Sequence, residues 1–398
     1  MRWRILIISL LTCLITAGCS KTSTLTLEEK VADFEQLYNE VKEGYPYLEV
    51  NKRLYKEDWL ENKEEFKKRI EKTSSDEDFA NELNSIMREL HNGHTEVITD
   101  SSYFNMLKDV YEPLKWYDFF DHKDLSHLYN DKEKSNVYGM GSGKNIELKD
   151  LVEDKVGYIY IPQMNSASGS IEDDMKKIAS YINEIKGYQS LIIDIRGNMG
   201  GNDQYWIDLV SNISDKNYKC RGYRLFRNSS NVIQSYTKAR NAKLNDIDEL
   251  PMLSNAPKEA TDMFTHFEYN EEIVEGKSKS PFKGKIYLLV DSDVFSGAES
   301  FAIFCKEQKF ATIIGSETGG DGYVYDPVLF KLNNSGLIVR MSSTMYLTES
   351  GICDEEKKVT PDIVVNNTIR YGIQKIDPCI NKVLELNKNS ARYIEHYF

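Results

Sequence analysis

Cysteine, histidine and positive charge are scarce in this 398-residue chain, and each scarcity removes a class of function. The six cysteines, Cys13, Cys19, Cys220, Cys305, Cys353 and Cys379, show no C-x-x-C spacing, which argues against a disulfide framework or a zinc site. The last four could pair in three ways, and spacing does not choose among them. Histidine occurs six times without an H-E-x-x-H run. His91, His94 and Glu96 are neighbours in sequence but lack a distant fourth ligand, so neither a metal nor an organic cofactor is expected. Basic residues number 50 against 63 acidic ones, a net charge of −13. Such a surface repels phosphate backbones and argues against nucleic acid as a partner. No segment beyond the N-terminal leader is apolar enough to cross a membrane.

The leader itself is informative. Arg2 and Arg4 precede thirteen apolar residues, 5–17, a run too short to span a bilayer but of the length of a secretory h-region. It closes on Thr16-Ala17-Gly18-Cys19. Small residues before a cysteine resemble a bacterial lipoprotein signal, in which residues 1–18 are removed and Cys19 is lipidated. The expected location is therefore the extracytoplasmic face of the cell membrane, with 19–26 as a lipid-anchored tether. Loss of both leader arginines moves the net charge from −13 to −15.

Hydrophobic periodicity then divides the chain. Thr26 and Glu29 form a capping box ahead of Val31, Phe34, Leu37, Tyr38 and Val41. A second helix is predicted over 55–72, and a third starts at Ser75, carries Phe79, Leu83, Ile86, Met87 and Leu90 on one face, and stops at Gly93 as its C-terminal glycine. These helices form an N-terminal helical domain, 27–95. An irregular connecting segment follows, 96–152. Its glycine-rich stretch 139–144 has Tyr138 where a phosphate loop needs its first glycine and Asn145 where it needs Ser or Thr, so it reads as a loop. From 153 to 370 strands and helices alternate. Strands are expected at 156–161, 191–195, 286–290 and 311–314, and hairpins at 220–236 and 329–346, the latter turning at Asn333-Asn334-Ser335-Gly336. Alternation of this kind predicts an α/β core with at least partly parallel pairing. A C-terminal helical tail, 371–398, completes the chain.

Three segments carry chemistry. Ser296 lies between the apolar strand 286–290 and the helix 298–306, a junction at which a hydroxyl can serve as nucleophile. Ser296-Gly297-Ala298-Glu299 also has the form of a capping box. Gly297 offers an unobstructed N–H beside the hydroxyl, at the positive end of a helix. Asp194-Ile195-Arg196-Gly197-Asn198-Met199-Gly200-Gly201 places a glycine turn at the C-terminal end of a buried strand, where α/β sheets hold their ligands. His94, just past the predicted helix end, is the candidate base.

Asn92-Gly-His-Thr95, Asp194 to Gly201, Phe295-Ser-Gly-Ala-Glu299, Glu317-Thr-Gly-Gly320 and Val359-Thr-Pro-Asp-Ile363 follow the order and approximate spacing of the tail-specific, or C-terminal processing, serine peptidases. The chain resembles that family over nearly its whole mature length. The resemblance implies a core similar to the ClpP/crotonase fold, Ser296 as nucleophile, and an oxyanion hole from the N–H groups of Gly297 and of Gly200 or Gly201. One branch of the family uses a lysine base in a Gly-Lys-Gly context after the serine. That neighbourhood here reads Gly315-Ser-Glu-Thr-Gly-Gly-Asp-Gly322, without lysine. The chain is more similar to the branch of the tricorn core and the interphotoreceptor retinoid-binding protein, which uses histidine and glutamate. The resemblance assigns these roles to His94 and to Glu355, with Glu356 as a rival. Tricorn-type sites link the two through a serine before the histidine, where this chain has Gly93; Thr95 or a direct contact is left to replace it. No PDZ domain is expected. The implied function is an extracytoplasmic, lipid-anchored serine endopeptidase acting on protein or peptide substrates. The alternatives are a catalytically silent lipoprotein that binds peptide or an apolar ligand in the same cleft, and a hydrolase of another acyl substrate.

Overall fold

The computed structural model describes residues 24–121, 125–129, 146–166, 170–366, 368, 370 and 377–387. The leader, Cys19 and the stretch 139–144 lie outside them.

The core is a six-stranded sheet. Its spatial order is Ile363–Val364, Thr312–Gly315, Lys285–Val290, Ser190–Asp194, Val156–Tyr160 and Glu147–Val152. All neighbours run parallel except the last pair, which is antiparallel. Alternate residues of each strand serve opposite layers, as the period of two requires. Leu191, Ile193, Leu288 and Val290 pack with Ile178, Ile182, Trp206, Phe301 and Phe304 of the helices Ile171–Glu184, Asp203–Ile213 and Gly297–Gln308. Ile192, Tyr287, Leu289 and Ile314 meet Cys379 and Val383 of the helix Pro378–Leu386 on the other face. This is the α/β class that the alternation predicts.

Two smaller antiparallel sheets adjoin the core. One has the order Met345–Thr348, Tyr218–Phe226, His266–Val274, Asn245–Asp246, and the other Glu96–Val97, Ile338–Met341, Val328–Lys331. The hairpin expected at 220–236 does not form. Strand Tyr218–Phe226 pairs with His266–Val274 and Met345–Thr348, and Ser230 caps a helix, Asn231–Ala239, by accepting from Val232 and Ile233. The expected turn at 333–336 does join Val328–Lys331 to Ile338–Met341, but Met345–Thr348 crosses to the other sheet.

The N-terminal helices are Leu27–Gly44, Leu48–Tyr55, Lys63–Glu71 and Asp76–Arg88. The Thr26–Glu29 capping box is present in both directions, 3.2 and 2.8 Å. Helix 55–72 is displaced: Leu48–Tyr55 precedes it, and a short 3-10 turn at Trp59–Asn62 interrupts it. The helices do not close a core of their own. Phe34, Leu37, Phe79, Leu83 and Ile86 share one apolar cluster with Phe226, Val339, Met341 and Met345 of the two small sheets. Segment 96–152 contributes a strand, Glu96–Val97, and a helix, Ser101–Tyr111, whose Phe104 and Leu107 pack on Leu329 and Ile338. Cys220, Cys305, Cys353 and Cys379 are buried and unpaired.

Candidate active site

Ser296 sits at the turn from strand Lys285–Val290 into helix Gly297–Gln308, with φ +56° and ψ −122°. A residue with a side chain adopts positive φ only where the surroundings hold it. Here its N–H donates to Gly320 O at 3.1 Å and Phe295 N–H donates to Asn198 O at 3.2 Å. The capping box read from the sequence is absent. Ser296 makes no side-chain cap bond, and Glu299 points inward to accept from Thr318 Oγ1 at 2.6 Å and Val359 N at 3.1 Å. The serine hydroxyl is thereby left free for chemistry, and it lies 3.0 Å from His94 Nε2.

His94 follows helix Asp76–Arg88, but Gly93 is not its cap. The left-handed residue is His91, φ +49°. Gly93 is instead closely packed: a Cβ there would stand 3.1 Å from the Phe295 ring, which packs at 4.6 Å on the His94 imidazole.

The acid behind His94 is Asp321 rather than Glu355. His94 Nδ1 lies 2.6 Å from Asp321 Oδ2. Asp321 is fully buried and also accepts from Tyr47 Oη at 2.6 Å, Ser342 Oγ at 2.8 Å and Asn92 Nδ2 at 2.9 Å. Burial alone would raise its pKa, but the His94 charge and these donors outweigh it and hold the carboxyl below its usual range. A carboxylate can only accept, so Nδ1 carries the imidazole proton and Nε2 faces the Ser296 hydroxyl as acceptor. Glu355 is one residue further out: its Oε1 accepts from Asn92 Nδ2 at 3.1 Å, so Asn92 bridges the two acids. Thr95 Oγ1 donates to Asn92 Oδ1 at 3.0 Å and holds that bridge instead of linking to the imidazole. Glu356 turns away to pair with Arg53. Asp321 is one of two acids, with Glu317, in the Gly315 to Gly322 stretch in which a lysine is missing; its left-handed φ of +57° suits an Asp within a glycine turn.

The glycine turn is pinned by Asn198, which is fully buried. Its Nδ2 donates to Ile161 O at 3.0 Å, and its Oδ1 accepts the Gly200 N–H at 2.9 Å. Gly200 therefore spends its own N–H inside the turn and is not an oxyanion donor in this arrangement. Its contribution is space: a Cβ at Gly200 would stand 2.8 Å from Ser296 Cβ and 2.9 Å from Gly297 N. Gly201 bridges Met164 through the neighbouring Gly200 C=O and Asn202 N–H, which turns its own N–H to the opposite side. With Gly200 excluded, Gly297 and Gly201 are the remaining candidates for oxyanion donors. Arg196 is no part of the site. It is buried between Asp194, 2.6 Å, and Asp377, 2.8 Å, and so ties the glycine-turn strand to the cap of helix Pro378–Leu386.

Around Asp321 stand three further buried acids. Glu299 and Glu355 are pushed well above the usual carboxylate range, first by burial and then by the charges of Asp354 and Asp321 respectively. Burial likewise raises Asp354 to about 7, with the Asp321 charge adding to it against a hydrogen bond from Gly322 N–H. Asp354 thus keeps a proton that the unfolded chain, with an Asp pKa of about 3.9, has lost. Its contribution to stability is full below about pH 4 and is lost as pH rises through about 7, at most about 4 kcal/mol in all. The melting temperature is expected to fall by several degrees between pH 5.5 and 7.5, and Asp354→Asn should flatten that slope. A wild-type melting temperature that is level or rising across this interval would contradict the assignment.

The signature of Peptidase family S41 matches residues 155–365. The carboxy-terminal-processing protease of Bartonella bacilliformis is 24% identical over 225 residues, which is 56% of this chain and 41% of that protein, so less than half of the relative's length is matched. Among solved structures, a Parabacteroides merdae protein classed as a peptidase superposes with a TM-score of 0.59 at 19% identity, over 90% of this chain and 96% of that one. Mature CPAF, solved in complex with lactacystin, gives 0.54 at 14% identity over 85% and 94% of the two chains. These likenesses show a shared fold. Because the family signature spans five of the six core strands, the glycine turn and the serine junction, more than half of the sequence, the chain belongs to peptidase family S41.

Proposed function

We propose that this chain is a serine endopeptidase that cleaves protein or peptide substrates through an acyl-enzyme on Ser296. The observation that carries this reading is the line Ser296 Oγ, His94 Nε2, His94 Nδ1, Asp321 Oδ2, with separations of 3.0 and 2.6 Å. In the first half-reaction His94 takes the Ser296 proton as the hydroxyl oxygen adds to the scissile carbonyl. Asp321 keeps the imidazole in the tautomer that makes Nε2 a base, and its charge stabilises the imidazolium. The carbonyl oxygen, now an oxyanion, is received by the N–H groups of Gly297 and Gly201. Collapse of the intermediate passes the proton from Nε2 to the leaving amine, and a water activated by the same nitrogen releases the acyl group. Among family branches, the histidine base supports kinship with the tricorn-core type over the Ser/Lys type. Thr16-Ala17-Gly18-Cys19 supports lipid anchoring through Cys19 on the outer face of the cell membrane.

One labelling experiment addresses both halves of the proposal. A fluorophosphonate should label the wild-type protein in the membrane fraction and leave Ser296→Ala unlabelled. Cys19→Ser should keep the label but move it out of the membrane fraction. Equal labelling of wild type and Ser296→Ala would refute the nucleophile, and an unchanged distribution of Cys19→Ser would refute the anchor.

A further inference from the structure

We infer that Tyr47 is a positioning residue for the reaction, an inference that rests on the proposed roles of Ser296, His94 and Asp321. Tyr47 joins helices Leu27–Gly44 and Leu48–Tyr55 and is 1% exposed, too deep to touch substrate. Its hydroxyl stands 2.6 Å from Asp321 Oδ1 and 3.0 Å from Thr344 O. It has one proton to give, and the nearer, charged oxygen takes it. The donors on Asp321 divide unevenly. Oδ2 serves His94, Ser342 and Asn92, whereas Oδ1 is held by Tyr47. A carboxylate is free to turn about its Cβ–Cγ bond, and a turn would carry Oδ2 away from His94 Nδ1. The Tyr47 hydroxyl blocks that turn by fixing the other oxygen.

The tyrosine is itself well anchored. Its ring packs edge-on against Tyr45 at 5.9 Å, and the Tyr45 hydroxyl donates to Leu90 O at 3.2 Å, four residues before His94. Burial, then the charges of Asp321 and Glu355 and the neighbouring Cys353, push the Tyr47 phenol well above its usual range, so it remains a donor. Tyr47, Asn92 and His94 all come from the N-terminal helical segment, which thereby completes the apparatus on the core sheet.

Tyr47→Phe keeps the ring and removes the donor. Its kcat is expected to fall about 10- to 100-fold with KM nearly unchanged, the scale of one hydrogen bond to a charged group. With one donor fewer, Asp321 holds the imidazolium more strongly, so the acidic limb of kcat/KM should move to higher pH. Incorporating 3-fluorotyrosine at position 47, the same shape with a more acidic hydroxyl, should move that limb to lower pH. It also keeps the test open if Tyr47→Phe does not fold. A lower melting temperature with kcat and the acidic limb unchanged in both variants would overturn the inference. Fluorophosphonate labelling of wild type separates this failure from the other: wild type that labels leaves the catalytic reading standing while Tyr47 falls, and wild type that does not label removes both.

Discussion

Ser296→Ala and His94→Ala are each expected to lower kcat by about 10⁶-fold, and the double variant should be no worse than either alone. The reason is that the pair acts as one unit. Without Ser296 Oγ there is no nucleophile, and without His94 Nε2, 3.0 Å away, that hydroxyl keeps its proton. Residual turnover of about 10³- to 10⁴-fold over water should persist in all three variants, supplied by backbone donors and substrate binding. Hydrolysis of a quenched fluorogenic protein substrate measures these rates, with near-UV circular dichroism confirming that each variant is folded. A His94→Ala enzyme within tenfold of wild type would mean that another group deprotonates the serine.

Asp321→Asn is the second large effect, a loss of about 10⁴-fold in kcat with KM little altered. An amide presents N–H as readily as C=O to His94 Nδ1 and so stabilises the wrong imidazole tautomer, the known consequence of this change in a serine, histidine, aspartate site. Glu355→Gln should cost less than about tenfold. Glu355 touches Asn92 rather than His94, and burial and the Asp321 charge favour its protonated form, which an amide imitates closely. The two variants therefore separate the acid seen beside the histidine from the acid that family resemblance nominates. If Glu355→Gln were the crippled enzyme and Asp321→Asn nearly normal, the orienting role would pass to Glu355.

Much of this site can be read along the chain. The Ser296 junction, the Gly200-Gly201 turn and His94 past a helix end are local patterns, and the structure brings the serine and histidine together although 202 residues separate them. What the patterns miss are contacts between segments. The Ser296 to Glu299 stretch has every residue of a capping box, yet Glu299 accepts from Thr318 and Val359 instead. Local propensity yields there because the buried acid is better satisfied by two donors delivered by other segments. Gly93 has the position of a helix cap, but the constraint on it is the ring of Phe295, 202 residues away. The sequence stretch 220–236 looks like a hairpin because two runs flank the turn-forming residues Asn228-Ser229-Ser230-Asn231; its first strand instead pairs with His266–Val274 and Met345–Thr348.

By itself the sequence determined the α/β class and the family, and nominated Ser296 and His94 as candidate nucleophile and base, because periodicity, turn glycines and motif order are properties of neighbouring residues. Only the tertiary structure decided which acid stands behind His94. Asp321 lies in a glycine-rich turn and Glu355 in the one-turn helix Asp354–Lys357, both are buried carboxylates, and no spacing distinguishes them. The choice is made where helices from the N-terminal segment meet the core: Tyr47, Asn92 and Ser342 surround Asp321 with donors that keep it charged, while among the described residues Glu355 accepts a hydrogen bond from Asn92 alone and is driven toward its neutral form by burial and the Asp321 charge. A buried group is charged only where enough donors converge on it, and convergence exists only in the folded chain.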